Sequence, residues 1–177
     1  MRAEKIHEKA SLFGEAVFAA DDGLITTFAV VAGSAGATLS PTIVLILGFA
    51  NLFADGLSMA TGRYLGLKTE LEYEEAEEKN IVYHTPPLKS ALITYLAFIV
   101  VGFVPLIPFV FGLGSTFVLS AILVAISLFL IGGFRSFFTK KGWMQSAVEM
   151  LLIGGGSAGL AYLVGYLVEN FLTKVTP

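Results

Sequence analysis

The amino-acid sequence predicts an all-α integral membrane protein with five transmembrane helices, and three observations carry that prediction. Of 177 residues, 55% are hydrophobic and only 14% charged, with a mean hydropathy of +0.79. An ordinary soluble domain carries about 25% charged residues, so this chain cannot cover its surface with charge and belongs in lipid. Its apolar stretches approach the roughly 20 residues that a helix needs to cross the hydrocarbon. They do not show the short alternating segments of an outer-membrane barrel. Finally, Lys and Arg collect at the amino end and in every second connection, the segments that successive spans bring to one side of the bilayer.

The elements follow in order. Residues Ala3–Phe13 put Ile6, Ala10 and Phe13 on one helical face and Glu4, Lys5, Glu8 and Lys9 largely elsewhere. That pattern fits either an amphipathic helix on the membrane surface or a solvated lead-in. Without an apolar core and a small-residue cleavage site, this start is not a secretory signal peptide. The first span is expected over 14–37, and Ser40-Pro41-Thr42 reads as a turn with Pro opening the next helix. The second span, over 42–65, meets no Gly or Pro beyond it until Pro86 once Gly66 is passed, so an acidic extension is expected over about 66–84. Thr85-Pro86-Pro87 stops it.

A third span covers 88–111, with Pro105 and Pro108 expected to kink or end it. The fourth, 116–134, holds no ionisable side chain and leads into a basic loop, 135–142. Trp143 suits an interface. A fifth span runs over 144–168, where Gly154, Gly155, Gly156 and Gly159 offer small packing surfaces. The whole chain, 1–177, thus reads as a single transmembrane domain. Ten of the eleven Lys and Arg residues lie at the amino end or in the connections after spans two and four, leaving only Lys174 opposite. The amino terminus is therefore expected in the cytoplasm and the carboxyl terminus outside.

Chemistry concentrates in the first two spans. A carboxylate inside a spanning helix costs at least about 2.5–3.5 kcal/mol on insertion scales, so it calls for a functional reason. In span two Asn51, Asp55 and Met59 are spaced i, i+4, i+8 and share a face. In span one Asp22, Thr26, Ala29 and Gly33 do the same. Opposed, the two stripes would line a path with carboxylates, an amide, a hydroxyl and a thioether. Oxygen ligands suit most divalent cations, and a thioether tilts the set toward Fe²⁺ or Mn²⁺ over Mg²⁺ and Ca²⁺.

Each residue also has a plainer reading. Met59 alone would be ordinary packing, Asp55 a helix–helix hydrogen bond, Asp22 an interfacial carboxylate, and Asp21, a quarter turn away, structural. Past span two, Glu70, Glu74, Glu77 and Glu78 fall near one helical face. They form either a solvated surface or a funnel that concentrates cations at the inner mouth. Glu149 either pairs with Arg135 or Lys140 or lines the inner entrance. Glu169 is interfacial.

No cysteine is present, which excludes disulfides, thiolate metal sites and thiol catalysis. The two histidines, His7 and His84, lie outside the spans, and no Ser-His-Asp set, HExxH or GxxxxGK[ST] occurs. The chain is not expected to be an enzyme, to hold a permanent cofactor or to bind nucleic acid.

The stretches DGLITTFAVVAG and ANLFADGLSMATGRYLGLKTE are similar to the vacuolar iron transporter family of five-span divalent-metal transporters. The likeness is most specific over Asp22–Glu70. It implies a homodimer that moves Fe²⁺, and sometimes Mn²⁺, out of the cytosol in exchange for protons, through a pathway formed by helices one and two near the dimer interface. It places the family's key aspartate at Asp22 and its pathway methionine at Met59. Members with a large cytosolic domain carry a glutamate where this chain has Asn51. Here the carboxylate stands one turn on, at Asp55. Those members also insert a helical metal-capturing domain between spans two and three, and the connection 68–88 is too short to hold one. Glu70, Glu74, Glu77 and Glu78 are then the candidate capture residues. A passive cation channel using the same stripe, or a membrane adaptor with an acidic docking helix, remain the alternatives. Lacking targeting signals, the chain is expected in a prokaryotic plasma membrane.

Overall fold

The computed structural model describes residues 2–77, 85–114, 116–139 and 142–175. Within them every regular element is helical: α1 (Arg2–Gly36), α2 (Pro41–Ala76), α3 (Pro87–Gly102), a 3₁₀ turn (Val104–Leu106), α4 (Ile107–Val110), α5 (Thr116–Thr139) and α6 (Trp143–Val175). Five stretches are long and apolar enough to cross a membrane: Ile6–Gly36, Pro41–Ala76, Pro87–Val110, Thr116–Ser136 and Trp143–Lys174. The expected five-span architecture is therefore present.

α1 is the central post. It packs on α3 and α6 most extensively, and also on α2 and α5. Backbones come close where side chains are missing. A Cβ on Gly23 would stand 2.6 Å from the Phe98 carbonyl oxygen, and one on Gly102 2.8 Å from that of Gly23, so α1 and α3 meet almost backbone to backbone. α1 and α6 do the same at Gly33 and Gly165, where any Cβ on Gly165 would overlap the Gly33 carbonyl. Such small-residue crossings let dispersion act between helices in a solvent as apolar as their own side chains. Around them lies the core: Leu24, Phe28, Val31, Leu52, Phe98, Leu106, Phe109, Val124 and Leu128.

Some boundaries differ from those expected. The amphipathic start is no separate surface helix; it continues straight into the first span as the lower part of α1. Gly14 alone does not break the ladder, and the segment is tied sideways by a 2.7 Å ion pair from Lys89 Nζ to Glu8 Oε1. α2 does run past the bilayer-length stretch, as far as Ala76. α3 ends at Gly102, before Pro105, and the chain proceeds through the 3₁₀ turn and α4. There the Ser120 hydroxyl donates to the Pro105 carbonyl at 2.7 Å, a neighbouring helix serving an acceptor beside the broken ladder. α5 extends five residues beyond 134, so Arg135 sits in a helix and not in a loop.

The glycine run on α6 packs less than expected. Gly154 is buried against Leu128 and Ile25, whereas Gly155, Gly156 and Gly159 face open space. The α1–α2 turn closes as a Schellman motif. The Leu39 N–H donates to the Ser34 carbonyl at 2.9 Å and that of Thr38 to the Ala35 carbonyl at 3.1 Å. Thr38 occupies the left-handed position, φ 53°, where glycine is usual.

Candidate functional site

The candidate pathway residues lie on α1 (Asp22, Thr26) and α2 (Asn51, Asp55, Met59), and the cleft between these two helices opens beside Met59. Asp22 and Asp55 are both half-buried, and the Asp55 charge is felt at Asp22. Among the described residues neither carboxylate has a Lys or Arg partner. Thr26 spends its hydroxyl proton on the Asp22 main-chain carbonyl at 2.8 Å, leaving the oxygen's lone pairs available. One turn from Asp55, the Asn51 side-chain nitrogen is buried without a hydrogen-bond acceptor. An orphaned buried donor is costly.

Met59 continues the stripe. It is half-buried, leans on the core, and lines a cavity of about 580 Å³ with Glu15, Phe18, Gly62, Arg63 and Thr94. At that end of the cleft α1, α2 and α3 are joined. Arg63 Nη2 donates to Glu15 Oε1, the Ser90 hydroxyl donates to Glu15 Oε2, and Arg63 Nε donates to Ser90 Oγ at 3.2 Å. Ser11 adds a 3.1 Å hydroxyl bond to Glu15 Oε1.

Sequence reading passed over Glu15, Arg63 and Ser90, though two of them carried a signal. Glu15 precedes Asp22 by seven residues, two turns along the same face. Arg63 follows Met59 by four, so the stripe reads Asn51, Asp55, Met59, Arg63. Ser90 carried none.

The remaining candidates stand apart. Asp21 turns to the other side of α1, onto a cavity of about 680 Å³ shared with Lys9, Phe13, Arg135 and Met150. Its Oδ1 is buried there without a hydrogen bond, and the Arg135 charge reaches it. Glu149 is exposed on α6 and lines neither cavity. On the α2 extension Glu70 and Glu77 are exposed, Glu74 is half-buried, and Lys68 pairs with Glu72 at 3.6 Å. Glu78 and His84 lie outside the described residues. Among the described residues no three of His, Asp and Glu converge as a metal cage. Small residues of α2 beside the cleft, Ala50, Ala54, Ser58 and Gly62, are exposed.

Comparison with known proteins gives a consistent picture. The profile of the VIT family matches residues 13–84 and 78–166, two blocks that meet at the connection after α2. A protein named vacuolar iron transporter from Toxoplasma gondii is 27% identical, covering 86% of this chain and 73% of its own length. Vacuolar iron transporter 1 of Arabidopsis thaliana is 24% identical over 94% of this chain and 90% of itself. Vacuolar iron transporter homolog 4 of the same plant is 27% identical over 90% and 84%. The Toxoplasma alignment runs over 220 positions, more than the 177 residues of this chain, so that relative carries insertions. With the helices and the matched blocks covering nearly all of the same residues, the chain belongs to the VIT family.

Proposed function

We propose that this protein exports Fe²⁺ or Mn²⁺ from the cytosol in exchange for protons, through the α1/α2 cleft of a homodimer. The observation that carries the reading is the pair Asp22 and Asp55, half-buried within spanning helices and without a basic partner among the described residues. Two carboxylates held that way need a counter-charge. A divalent ion supplies it, and so do two protons. Metal binding requires deprotonated ligands, so the two occupants exclude each other and exchange leaves the span neutral in either state. The names of the relatives support a metal as cargo. Met59, which lines the cavity and follows Asp55 by one turn of α2, supports a transition metal over Mg²⁺ or Ca²⁺.

The distribution of Lys and Arg supports a cytosolic location for the end that carries Glu15, Arg63 and Lys89. The acidic extension of α2 then reaches into the cytosol, where Glu70, Glu74, Glu77 and Glu78 raise the local cation concentration. A second copy set against the exposed small residues Ala50, Ala54, Ser58 and Gly62 closes the open side of the cleft. A multi-pass position in any membrane bordering the cytosol, plasma or vacuolar, satisfies this arrangement.

Proteoliposomes loaded with a metal-sensitive dye test the cargo. Fe²⁺ and Mn²⁺ should enter saturably and Mg²⁺ and Ca²⁺ should not. Equal entry of all four would indicate an unselective channel, and no entry of any would leave a non-transporting protein.

A further inference from the structure

Glu15 is the carboxylate at the charged end of the cleft, and its counter-ion is built into the protein. Both of its oxygens are engaged, Oε1 by Arg63 and Ser11 and Oε2 by Ser90. Its side chain is only 11% exposed, whereas that of Arg63 is 35% exposed. The guanidinium is thus the more open member of the pair. Arg63 occupies the α2 stripe one turn beyond Met59, and Glu15 occupies the α1 stripe two turns before Asp22. The same cavity touches Glu15, Met59 and Arg63.

An ion that follows the two stripes from this end meets Glu15 first. It finds there a site of the right charge already filled by a cation on a tether. The deeper carboxylates, Asp22 and Asp55, have no such partner among the described residues. Opening the pair leaves the mostly buried Glu15 carboxylate uncompensated, so the pair parts readily only when another cation takes the guanidinium's place.

We infer that Glu15 is the first cation site of the pathway and that Arg63 is its tethered plug, displaced by an arriving divalent ion. This rests on the reading of the chain as a divalent-metal transporter. Ser90 gives the exchange its geometry. Its hydroxyl holds Oε2 whether or not the guanidinium is present, so the carboxylate stays aimed at the cavity when Arg63 swings out. The plug also acts on specificity. A guanidinium matches a carboxylate in shape as well as charge, and a hydrated monovalent ion offers no more charge than the group it would have to displace. Na⁺ and K⁺ are held out, while a divalent ion brings twice the charge.

The test is Mn²⁺ uptake into proteoliposomes by wild type, Arg63→Gln, Glu15→Gln and the double variant, each checked for folding by thermal melting. Arg63→Gln should lower the apparent KM about fivefold, the scale of a partly exposed ion pair, and should make uptake sensitive to Na⁺. Glu15→Gln should raise KM, and adding Arg63→Gln to it should change nothing further, because the plug then has nothing to compete for. An equal fall in KM in both backgrounds would mean that Arg63 merely repels cations, and an unchanged KM in Arg63→Gln would reduce the cluster to a staple between helices. Either result overturns the plug while leaving transport intact. If Arg63→Gln does not fold, Arg63→Lys keeps the charge but loses the fork, and should lower KM by a smaller factor; no change there also overturns the plug. Wild type that carries no Mn²⁺ would overturn both this inference and the transport reading beneath it.

Discussion

Replacing Asp22 by Asn removes one charge and almost no volume. Asp22 is half-buried and has no basic partner among the described residues, so no ion pair is lost, and the repulsion from Asp55 disappears. The variant should fold and assemble normally and melt no lower than wild type. Its effect falls on the cargo. Two unit charges about 4 Å apart interact by about 4 kcal/mol at an effective dielectric constant near 20, and a divalent ion doubles that. An amide oxygen still coordinates, and water replaces part of the loss. A net deficit of about 3 kcal/mol then corresponds to roughly a hundredfold weaker metal binding. Initial rates of Fe²⁺ or Mn²⁺ uptake at sub-saturating metal should fall by about two orders of magnitude, with an unchanged size-exclusion profile. Uptake within threefold of wild type would remove Asp22 from the pathway.

Other residues give independent checks. Asp55→Asn should impair uptake comparably, and adding Asn51→Glu should restore part of it, because a carboxylate one turn back on the same face can still reach the path; flux assays of the single and double variants decide this. Neutralising Glu70, Glu74 and Glu77 to Gln should raise the apparent KM about two- to threefold at low ionic strength and have little effect at high salt, as screening removes a funnel's advantage. Gly165→Ala drives a methyl into the Gly33 carbonyl and should destabilise the α1–α6 crossing by about 1–3 kcal/mol in thermal melting, the range for overpacking. Thr38→Gly relieves a left-handed β-branched residue and should stabilise by about 1 kcal/mol, after the entropy cost of glycine is deducted.

Much of this was legible in the chain because a bilayer imposes simple rules. Span number follows from hydropathy, and Pro41 and Pro87 each open a helix as their fixed φ permits. The continuation of α2 past Leu65 was visible as an absence of breakers from Leu67 to Thr85. The continuity of α1 was less so. Charged residues in Arg2–Phe13 dilute its apolar signal, while the contact that holds it, Lys89 to Glu8, joins positions 81 residues apart. The glycines show the same limit. A run such as Gly154-Gly155-Gly156 is small on every side, and only tertiary structure selects the side that meets a neighbour. The closest approaches to a neighbouring backbone came instead at Gly165, Gly36, Gly23 and Gly132.

At the candidate site, helical spacing sufficed to put Asn51, Asp55 and Met59 on one face. It did not reveal that Arg63, which counts in sequence only as one more positive charge setting orientation, closes the same stripe onto Glu15. That pairing depends on how α1 crosses α2, and on Ser90 from a third helix.

If protons and a divalent metal exchange on Asp22 and Asp55, the internal pH must follow metal uptake. In vesicles whose protein exposes its cytosolic face outward, Mn²⁺ entry should raise the luminal pH, with about two protons leaving per ion as charge neutrality of the pair requires, and Asp22→Asn should suppress both signals in parallel. Mn²⁺ entry with no change in luminal pH would rule out proton exchange on this pair.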